Sequence, residues 1–357
     1  MSEQPAGSRD PGDPSALSEA ELAAVADRMT GAGEPVAGPL TARLVAGGRS
    51  NLTYRLDDTS GSRAWVVRMP PRVGRTPSAH DVAREFRVTS ALAGAGVPVA
   101  RPVVLCEDES VIGLPFAVAA FVEGRSVQSR ADLDGLDDAT LELTTGRLVE
   151  TLAALHAVDH VAAGLERFGR PDGYAARQLR RWSGQWEIVG DEALTPLATE
   201  LAGRLGATAF DQRSTGVVHG DYRIDNTLLS FGDAGSDTGP RVEAVVDWEL
   251  STIGDPVADV AMMCVYRHAA LDLVLGSPSA WTSDRLPTAD ALAAAYEAAG
   301  GVALVDWDAH LALGYFKLAV IAAGIDHRYR AGATHGEGFD TAARAVEPLL
   351  VAGLERV

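Results

Sequence analysis

The pattern of apolar and polar positions divides the chain into a β-rich first third and a mostly helical remainder. From about residue 41 to 121, the runs "TARLVAGG", "NLTYRLDD" and "RAWVVRMP" predict three strands. A helix is predicted to begin near Ser78 and Asp81 and to end at Gly94 and Gly96. The runs "VARPVVLCED" and "GLPFAVAAFVEG" predict two more strands. The predicted order is therefore β-β-β-α-β-β.

Beyond Gly124 the apolar residues recur at helical spacing, and only two short β-runs, 217–218 and 242–246, interrupt them. A capping box in "SEAE" predicts another helix over 18–30, ahead of the first strand. The later helices are predicted over 137–158, 173–187, 191–206, 256–269, 287–299, 308–327 and 338–355. The pattern predicts an α+β fold.

Composition sets the domain organisation and excludes some functions. The 357 residues suffice for two domains, and residues 1–16, rich in Pro, Gly, Ser and Asp, are predicted to form a disordered tail. The net charge of −18 argues against nucleic-acid binding. It is compatible with cationic substrates, and equally with an acidic surface that serves solubility alone.

No signal peptide is visible, and the longest apolar run, Leu311–Ile325, is interrupted by Lys317. The two cysteines, Cys106 and Cys264, have no metal-ligand spacing and form no disulfide framework. A cytoplasmic location without membrane association is therefore expected. Lys317 is also the only lysine, so any site that needs another cation must use arginine.

The stretch "VVHGDYRIDN", residues 217–226, ends a buried apolar run with a cluster of polar groups. A phosphoryl acceptor needs an aspartate that orients its hydroxyl group, and protein kinases place that aspartate two residues after a histidine, with an asparagine five residues further on. His219, Asp221 and Asn226 have this spacing. Asp247, after a second β-run, is the candidate for a further Mg²⁺ ligand.

Each of these residues also has a purely structural interpretation. Asp221 alone suits a turn cap, Asn226 a left-handed loop position, and Asp247 a helix cap. The functional interpretation is favoured because two apolar runs end in aspartates at this separation. His219 is expected to pack and bond within the loop, and Asp225 is ambiguous between capping and the site.

Phosphoryl transfer also requires a nucleotide that donates the phosphoryl group, and the β-rich domain contains candidate contacts for it. Gly47 and Gly48, followed by Ser50, form a turn whose backbone N–H groups could approach phosphates, although glycine hairpins are common. Arg68 on the third strand is the candidate phosphate cation, and Glu85 on the following helix is its candidate partner. The alternative for these two residues is a surface ion pair of little energetic consequence.

The stretches "VVHGDYRIDNTLL", "AVVDWELSTIGDPVADVA" and "GGRSNLTYRL" resemble the aminoglycoside-phosphotransferase-like family, within the protein-kinase-like fold. The resemblance covers about residues 38–350. Other stretches, such as "PPRVGRTPSAHDVAREFRV" and "GYAARQLRRWSGQWE", resemble a subgroup that includes the kinase-like domains fused to acyl-CoA dehydrogenases. The resemblance implies a two-lobed α+β fold, with an N-terminal nucleotide-binding lobe over 17–123 and a catalytic and substrate lobe over 124–357.

The resemblance also implies ATP and Mg²⁺ as cofactors and a role for each matching residue. It implies that Asp221 is the catalytic aspartate and that Asn226 and Asp247 are Mg²⁺ ligands. It implies that Arg68 and Glu85 form the phosphate-binding pair and that Asp259 is a buried structural brace of the catalytic loop. The adenine-binding hinge is implied to include Ala120, Phe121 and Val122. Arginine in place of lysine at position 68 is not a neutral replacement, because the guanidinium is planar and holds its N–H donors in a fixed arrangement, whereas the lysine ammonium is a compact point charge.

The acceptor is not identified by the resemblance. Hydroxyacyl compounds and aminoglycoside-like molecules are both candidates, and Asp225, Trp248 and Glu249 are candidate acceptor contacts. In the helix at 173–187, Arg177 and Arg181 could face an anionic acceptor, with Trp182 and Trp186 against an apolar tail. The favoured interpretation of this helix is nevertheless structural: an amphipathic helix with a solvated basic face and tryptophans in the core.

Two other functions compete with phosphotransfer. One is a nucleotide-binding pseudoenzyme that acts as a sensor or scaffold, which Arg68 would suit and the intact Asp221, Asn226 and Asp247 oppose. The other is a metallohydrolase with His219, Asp221 and Asp247 as direct metal ligands, for which the sequence lacks the further histidines and aspartates of a dinuclear site. The sequence does not predict the oligomeric state or the preferred nucleotide.

Overall fold

The computed structural model describes residues 16–46, 51–61, 63–72, 81–232, 239–332 and 339–357. Gly47, Gly48, Ser50 and Ser78 lie outside these ranges, as does the tail predicted over 1–16 except for its last residue. The chain forms two compact units. The first comprises Met1–Ser90 with Ala100–Phe121, and the second comprises Ala91–Val99 with Val122–Val357.

The first unit is built on an antiparallel sheet of five strands in the order β1-β2-β3-β5-β4. The strands are β1 (Leu40–Ala46), β2 (Leu52–Asp58), β3 (Ala64–Met69), β4 (Pro102–Cys106) and β5 (Phe116–Ala120). Helix α1 (Glu19–Gly31) precedes the sheet, and the predicted capping box at Ser18 and Glu21 is present. Helix α2 (Val82–Gly94) follows β3, and the Asp81 carboxylate caps it by accepting a hydrogen bond from the Arg84 N–H at 2.8 Å.

Alternating positions of the strands form the core of this unit, as expected for a sheet covered on one face. Successive strand residues point to opposite faces, so alternate residues are buried from Tyr54 to Asp58 in β2 and from Trp65 to Met69 in β3. Three buried residues of α1, Leu22, Val25 and Met29, belong to the same core cluster. The strand residues in that cluster include Tyr54, Leu56, Trp65, Val67, Met69, Phe116 and Val118.

The second unit is mostly helical. Its helices after α2 are α3 (Arg130–Leu133), α4 (Asp138–His156), α5 (Tyr174–Val189), α6 (Thr195–Ala207), α7 (Pro256–Val265), α8 (Ala270–Leu275), α9 (Ala289–Ala298), α10 (Trp307–Arg330) and α11 (Ala343–Leu354). Two antiparallel strand pairs lie among them. They pair β6 (Gly216–Val218) with β9 (Thr252–Gly254), and β7 (Thr227–Ser230) with β8 (Arg241–Val245).

Helix α10 is the central helix of this unit and packs against α5, α7 and α11. It is long and apolar enough to meet the length and composition criteria of a membrane span. However, 78% of its apolar window is buried inside the fold. Core helices meet the same criteria, and burial among neighbouring helices accounts for the apolar character of α10 without a membrane.

Residues 91–99, the end of α2 and the segment after it, are grouped with the second unit. The backbone explains this grouping, because the Val245 N–H at the end of β8 donates to the carbonyl of Pro98 at 2.8 Å. On the C-terminal side the second unit begins at Val122. The segment that follows is tied to β7 by reciprocal backbone hydrogen bonds between Arg125 and Leu229, at 2.8 and 3.0 Å.

Candidate active site

The loop of residues 219–226 begins where β6 ends, and a buried carboxylate fixes its first turn. One oxygen of Asp259 accepts the His219 N–H at 2.7 Å, and the other accepts the Gly220 N–H at 2.8 Å. The same carboxylate lies 3.2 Å from His156 Nε2, and His156 Nδ1 lies 2.7 Å from the Tyr296 hydroxyl. The structure therefore places Asp259 as a brace of the loop.

Burial acts to raise the pKa of Asp259, but His156 and the backbone N–H of His219 outweigh it, so its pKa lies below the ordinary value. A fully buried carboxylate is costly unless it is hydrogen-bonded and paired. Asp259 meets both conditions, and its charge therefore stabilises this loop conformation.

His219 is a structural residue of the loop. Its Nε2 lies 2.9 Å from the carbonyl of Val246, so this nitrogen carries the proton, and its Nδ1 accepts the Asp221 N–H at 3.2 Å. The ring also packs on Trp248, with ring centroids 4.7 Å apart. Because both ring nitrogens are engaged, His219 is not available as a metal ligand, which removes one ligand of the metallohydrolase alternative.

The side chains of Asp221 and Asn226 meet in the same loop. The Asn226 amide Nδ2 donates to the Asp221 backbone carbonyl at 2.8 Å and to its carboxylate at 2.9 Å. The short 3₁₀ turn Ile224–Asn226 brings the two residues together. The Asp221 side chain is 18% exposed. The carboxylate is therefore held in one orientation while one edge remains accessible to a hydroxyl group.

Asp247 joins this group through the backbone. Val246, which precedes it, donates its N–H to the Asn226 carbonyl at 3.0 Å, and the Val246 carbonyl faces His219. Asp247 has φ 65° and ψ 58°, a left-handed conformation that is uncommon for an aspartate. Strained backbone of this kind is concentrated at functional sites.

The chemistry of Asn226 and Asp247 fits Mg²⁺. Asn226 uses its amide nitrogen toward Asp221, so its amide oxygen is presented on the other side, and Asp247 supplies a carboxylate. Mg²⁺ prefers such hard oxygen donors and usually keeps several waters and substrate phosphates. Among the described residues, no group of three or more His, Cys, Asp or Glu side chains could hold a metal ion. Two protein oxygens do not complete the octahedral shell of Mg²⁺, so Asn226 and Asp247 suit an ion that also takes water or phosphate oxygens.

Arg223 lies between two carboxylates of the loop. Its guanidinium is 3.5 Å from the Asp221 carboxylate and 2.8 Å from the Asp225 carboxylate. Burial acts to lower the pKa of Arg223, but both carboxylates outweigh it and raise the pKa. Burial raises the pKa of Asp225, which Arg223 offsets only in part. Burial and then the Asp221 carboxylate raise the pKa of Tyr266 well above its ordinary value.

In the first unit, Arg68 and Glu85 form the expected pair. Arg68 on β3 lies 3.1 Å from the Glu85 carboxylate in the first turn of α2. The side chain of Glu85 is only 9% exposed, and its other oxygen accepts a hydrogen bond from Asn51 Nδ2 at 2.7 Å. The pair is therefore not the exposed surface ion pair of the alternative interpretation.

The backbone of the residues predicted as an adenine-binding hinge takes part in the sheet. The Ala120 N–H donates to the Arg101 carbonyl at 2.8 Å, and the Phe121 N–H donates to the Ala64 carbonyl at 3.0 Å. Both N–H groups are engaged within the sheet, so neither is available to an adenine base in this conformation. Val122, the third residue, is half-buried.

Two tryptophans proposed as substrate contacts are core residues instead. Trp248 is 2% exposed, and its indole Nε1 donates to the Val245 carbonyl at 2.9 Å. Trp186 is 7% exposed and faces Thr195. The acceptor contact expected for Trp248 was wrong, because an apolar position does not distinguish a core side chain from a ligand contact. Trp186 instead fits the core interpretation that the sequence favoured for its helix.

The other proposed acceptor contacts remain at the surface or close to it. Glu249 is half-buried in the short 3₁₀ helix that follows Asp247. Arg177 bonds to the carbonyl of Arg170, and its guanidinium lies 5.9 Å from the Tyr174 ring centroid. Arg181 is exposed, with its guanidinium 5.2 Å from the centroid of Trp182.

Several residues at these sites were not singled out from the sequence. Arg223 lies within the stretch "VVHGDYRIDN", and Asn51 is the first residue of "NLTYRLDD". Their positions in these two stretches were the sequence signal that could have identified them. His156 contacts Asp259 across 103 residues of sequence, and Tyr296 contacts His156 from another distant helix. No local pattern could have identified these two.

Comparisons with known proteins identify the fold and the family of the chain. The fold is that of two-lobed, protein-kinase-like phosphotransferases, which confirms the predicted α+β class. A crystal structure from Ralstonia eutropha JMP134, of a protein provisionally assigned as an aminoglycoside phosphotransferase, aligns with a TM-score of 0.77 at 32% identity, covering 94% of this chain and 97% of the other. The profile of the Phosphotransferase enzyme family matches residues 41–313, and the chain belongs to that family.

Two further likenesses are informative. Acyl-CoA dehydrogenase family member 11 of Gallus gallus is 36% identical over 330 residues, covering 89% of this chain and 40% of the relative. The chain thus spans about 40% of the length of this curated relative. A mutant of aminoglycoside phosphotransferase APH(4)-Ia, in complex with AMP-PNP and hygromycin B, aligns with a TM-score of 0.58 at 18% identity, covering 89% of this chain and 94% of the other. That likeness shows the fold alone.

Proposed function

We propose that the chain transfers the γ-phosphoryl group of ATP, with Mg²⁺, to a hydroxyl group of a small molecule. The observation that carries this proposal is the Asp221 carboxylate, oriented by the Asn226 amide at 2.9 Å in a loop that Asp259 braces. Membership of the phosphotransferase family supports it.

Asp221 would accept a hydrogen bond from the acceptor hydroxyl and align its oxygen with the γ-phosphorus. The acceptor oxygen forms a bond to phosphorus, the bond to the bridging oxygen breaks, and the hydroxyl proton passes to Asp221. The products are ADP and a phosphate monoester. Asn226 and Asp247 would hold Mg²⁺, which neutralises charge on the phosphates when it is bound.

The first unit would supply the nucleotide contacts. Arg68, held by Glu85 at 3.1 Å, presents a cation that stays protonated at any physiological pH. AMP-PNP, bound in the APH(4)-Ia mutant, is an analogue of ATP, which supports ATP as the donor. Gly47, Gly48 and Ser50 remain candidate phosphate contacts from the sequence.

The acceptor is proposed as a hydroxyacyl compound, with an aminoglycoside-like molecule as the second candidate. The name of the Gallus gallus relative describes an acyl-CoA dehydrogenase, which supports acyl chemistry. On α5, Arg177 lies near Tyr174 and Arg181 lies near Trp182, and these two cations would attract a carboxylate or a phosphate. Hygromycin B, bound to APH(4)-Ia, and the net charge of −18 support the aminoglycoside class.

The test is release of ADP from Mg·ATP in the presence of hydroxyacyl-CoAs, free hydroxy acids, aminoglycosides, macrolides, amino alcohols and sugars. We expect turnover with one class, reduced by about 100-fold or more in Asp221→Asn. Asp308→Asn removes a charge from an exposed ion pair of the same unit and should keep full activity.

Nucleotide binding without turnover by the whole panel would support the pseudoenzyme instead. That alternative would be strengthened if Asp221→Asn left nucleotide affinity and any downstream effect unchanged. Absence of Mg·ATP binding in a thermal-shift experiment would contradict both functions.

A further inference from the structure

Lys317 on α10 contacts the candidate catalytic loop at the same glycine that Asp259 holds. Its ammonium Nζ donates to the carbonyl of Gly220 at 3.1 Å, while the N–H of that glycine donates to Asp259 at 2.8 Å. The backbone of Gly220 is therefore held at both its N–H and its carbonyl. The carbonyl group that Lys317 binds belongs to the peptide unit linking Gly220 to Asp221.

The surroundings of this ammonium are largely protein. A small cavity of about 20 Å³ beside it is lined by residues that include Tyr174, Gln178, Trp182 and Gly314. The Trp182 ring centroid lies 6.0 Å from Nζ. Burial lowers the pKa of Lys317, and the nearby carboxylates of Asp221 and Asp259 act in the opposite direction. A cation in such a place is retained only where carbonyl, aromatic or carboxylate groups compensate its lost hydration.

Composition makes the choice of lysine informative. The chain has 31 basic residues, and Lys317 alone among them is a lysine. An ammonium is a compact charge with three donors, whereas a guanidinium is a broader planar fork. The cavity beside the ammonium, which Trp182 and Gly314 help to line, is only about 20 Å³, so little space remains there for a larger head group. The geometry is thus met by an ammonium and not by the arginine used elsewhere.

We infer that Lys317 is a positioning residue of the active site, whose ammonium holds the Gly220 carbonyl and so orients the Asp221 carboxylate toward the acceptor. The inference rests on the proposed phosphotransfer for its kinetic consequences. Its structural part, the hold on the loop, is independent of that reaction.

The kinetic test compares Lys317→Met and Lys317→Arg with the natural chain, using the acceptor found by ADP release. We expect kcat to fall by about 10- to 100-fold in both variants, with the KM values for nucleotide and acceptor unchanged, because a small misplacement affects the transition state. Arg330→Met removes an exposed charge from the same helix and should keep the natural kcat.

Chemical rescue separates positioning from packing. In Lys317→Ala, added methylammonium should restore part of kcat, whereas tetramethylammonium at the same ionic strength should not, because it has no N–H donor. A normal kcat in Lys317→Met, full activity in Lys317→Arg, or a raised acceptor KM with normal kcat would each overturn the inference. The last result would make Lys317 an acceptor-binding residue.

Hydrogen–deuterium exchange tests the hold on the loop without any acceptor. We expect the backbone of residues 217–226 to exchange several-fold faster in Lys317→Met than in the natural chain, with exchange in α1 unchanged. Equal exchange in the two proteins would overturn the inference. Faster exchange in a protein that turns over no acceptor would leave the inference standing and contradict the proposed function.

Discussion

Gly220 combines a backbone conformation and a close contact that both require glycine. Its φ is +86°, and a Cβ there would lie 2.9 Å from the carbonyl oxygen of Leu250 and 3.0 Å from its Cβ. L-residues pay about 1–2 kcal/mol for left-handed backbone. The introduced Cβ would also be too close to Leu250, so the loop that carries Asp221 would have to move.

Gly220→Ala is therefore expected to lower the free energy of unfolding by about 2–4 kcal/mol and to abolish most activity. Gly300→Ala is the matched control, because Gly300 has the same φ of +86° in the same unit, but a Cβ there would have no atom within 4 Å beyond its chain neighbours. It should cost about 1–2 kcal/mol and leave kcat unchanged. Urea unfolding and ADP release measure the two effects. Equal losses of stability and activity in both variants would refute the role of the Leu250 contact.

Asp259 should make the stability of the second unit depend on pH. Its pKa is lowered in the folded chain from an ordinary value of 3.8. A carboxylate with a lowered folded pKa stabilises the fold above its unfolded pKa, and this contribution is lost as pH falls through the folded value. Asp259→Asn should reduce the free energy of unfolding by about 2–4 kcal/mol at pH 7.

The difference between the natural chain and Asp259→Asn should be largest above about pH 4 and shrink below it. Tryptophan fluorescence during urea unfolding follows this change, because five of the six tryptophans, all but Trp65, belong to the second unit. A difference that stays constant from pH 7 to pH 3 would show that Asp259 has an ordinary pKa.

Helix α10 contains two glycines, of which Gly314 is tightly packed and Gly324 has space around it. A Cβ at Gly314 would lie 3.0 Å from a Val265 methyl group and 3.3 Å from the Met262 sulfur, both on α7. At Gly324 the nearest atom would be the flexible Arg328 guanidinium at 3.6 Å. Close packing of α10 on α7 therefore needs glycine at the first position and not at the second.

We expect Gly324→Ala to raise the free energy of unfolding by about 0.5–1 kcal/mol, because alanine restricts the unfolded chain and favours helix. Gly314→Ala should lower it by about 1–3 kcal/mol, because the α7 side chains must move. Thermal unfolding of the two variants side by side measures both effects. Stabilisation by Gly314→Ala would show that the contact between the helices is loose.

Elements with a long apolar face were predictable to within a few residues. The helix predicted over 137–158 is Asp138–His156. The one predicted over 256–269 ends at Val265, because the His268 N–H turns back to the Val265 carbonyl at 3.0 Å and a separate helix, α8, follows. Strand β9 was missed, since three residues are too few to show an alternating pattern.

The same limit applies to the candidate site: contacts within one short motif were predictable from the sequence, and contacts between distant segments were not. The proximity of Asp221 and Asn226 follows from a motif of six residues, which spacing alone can indicate. The contact of Lys317 with Gly220 spans 97 residues and depends on how α10 packs, so no sequence pattern contains it. The hydrogen bonds that the Ala120 and Phe121 N–H groups make to Arg101 and Ala64 likewise depend on strand pairing, which the motif at 120–122 does not contain.

The two units contain different sets of charged and polar groups. The described part of the first unit offers a cation, Arg68, held by a buried carboxylate, and the second offers the oxygen donors Asn226 and Asp247 beside Asp221. If the proposed function holds, the first set contributes to binding of nucleotide phosphates and the second to binding of Mg²⁺. Ligand-induced stabilisation of the complete chain can separate these contributions, since a ligand that binds only the folded state stabilises it.

The natural chain should be stabilised by ATP and more strongly by Mg·ATP, by about 2.7 kcal/mol when the ligand concentration is 100 times Kd. Asp247→Asn should keep the effect of ATP alone and lose the increment that Mg²⁺ adds. Arg68→Met should weaken stabilisation by ATP with and without Mg²⁺. Arg68→Lys should weaken it less, because the ammonium keeps the positive charge but lacks the planar donor arrangement of the guanidinium. Thermal shifts with ATP, in EDTA and in excess Mg²⁺, distinguish these variants. An Mg²⁺ increment that persists in Asp247→Asn would exclude Asp247 as a ligand. An unchanged ATP effect in Arg68→Met would assign the phosphates to other groups of the chain.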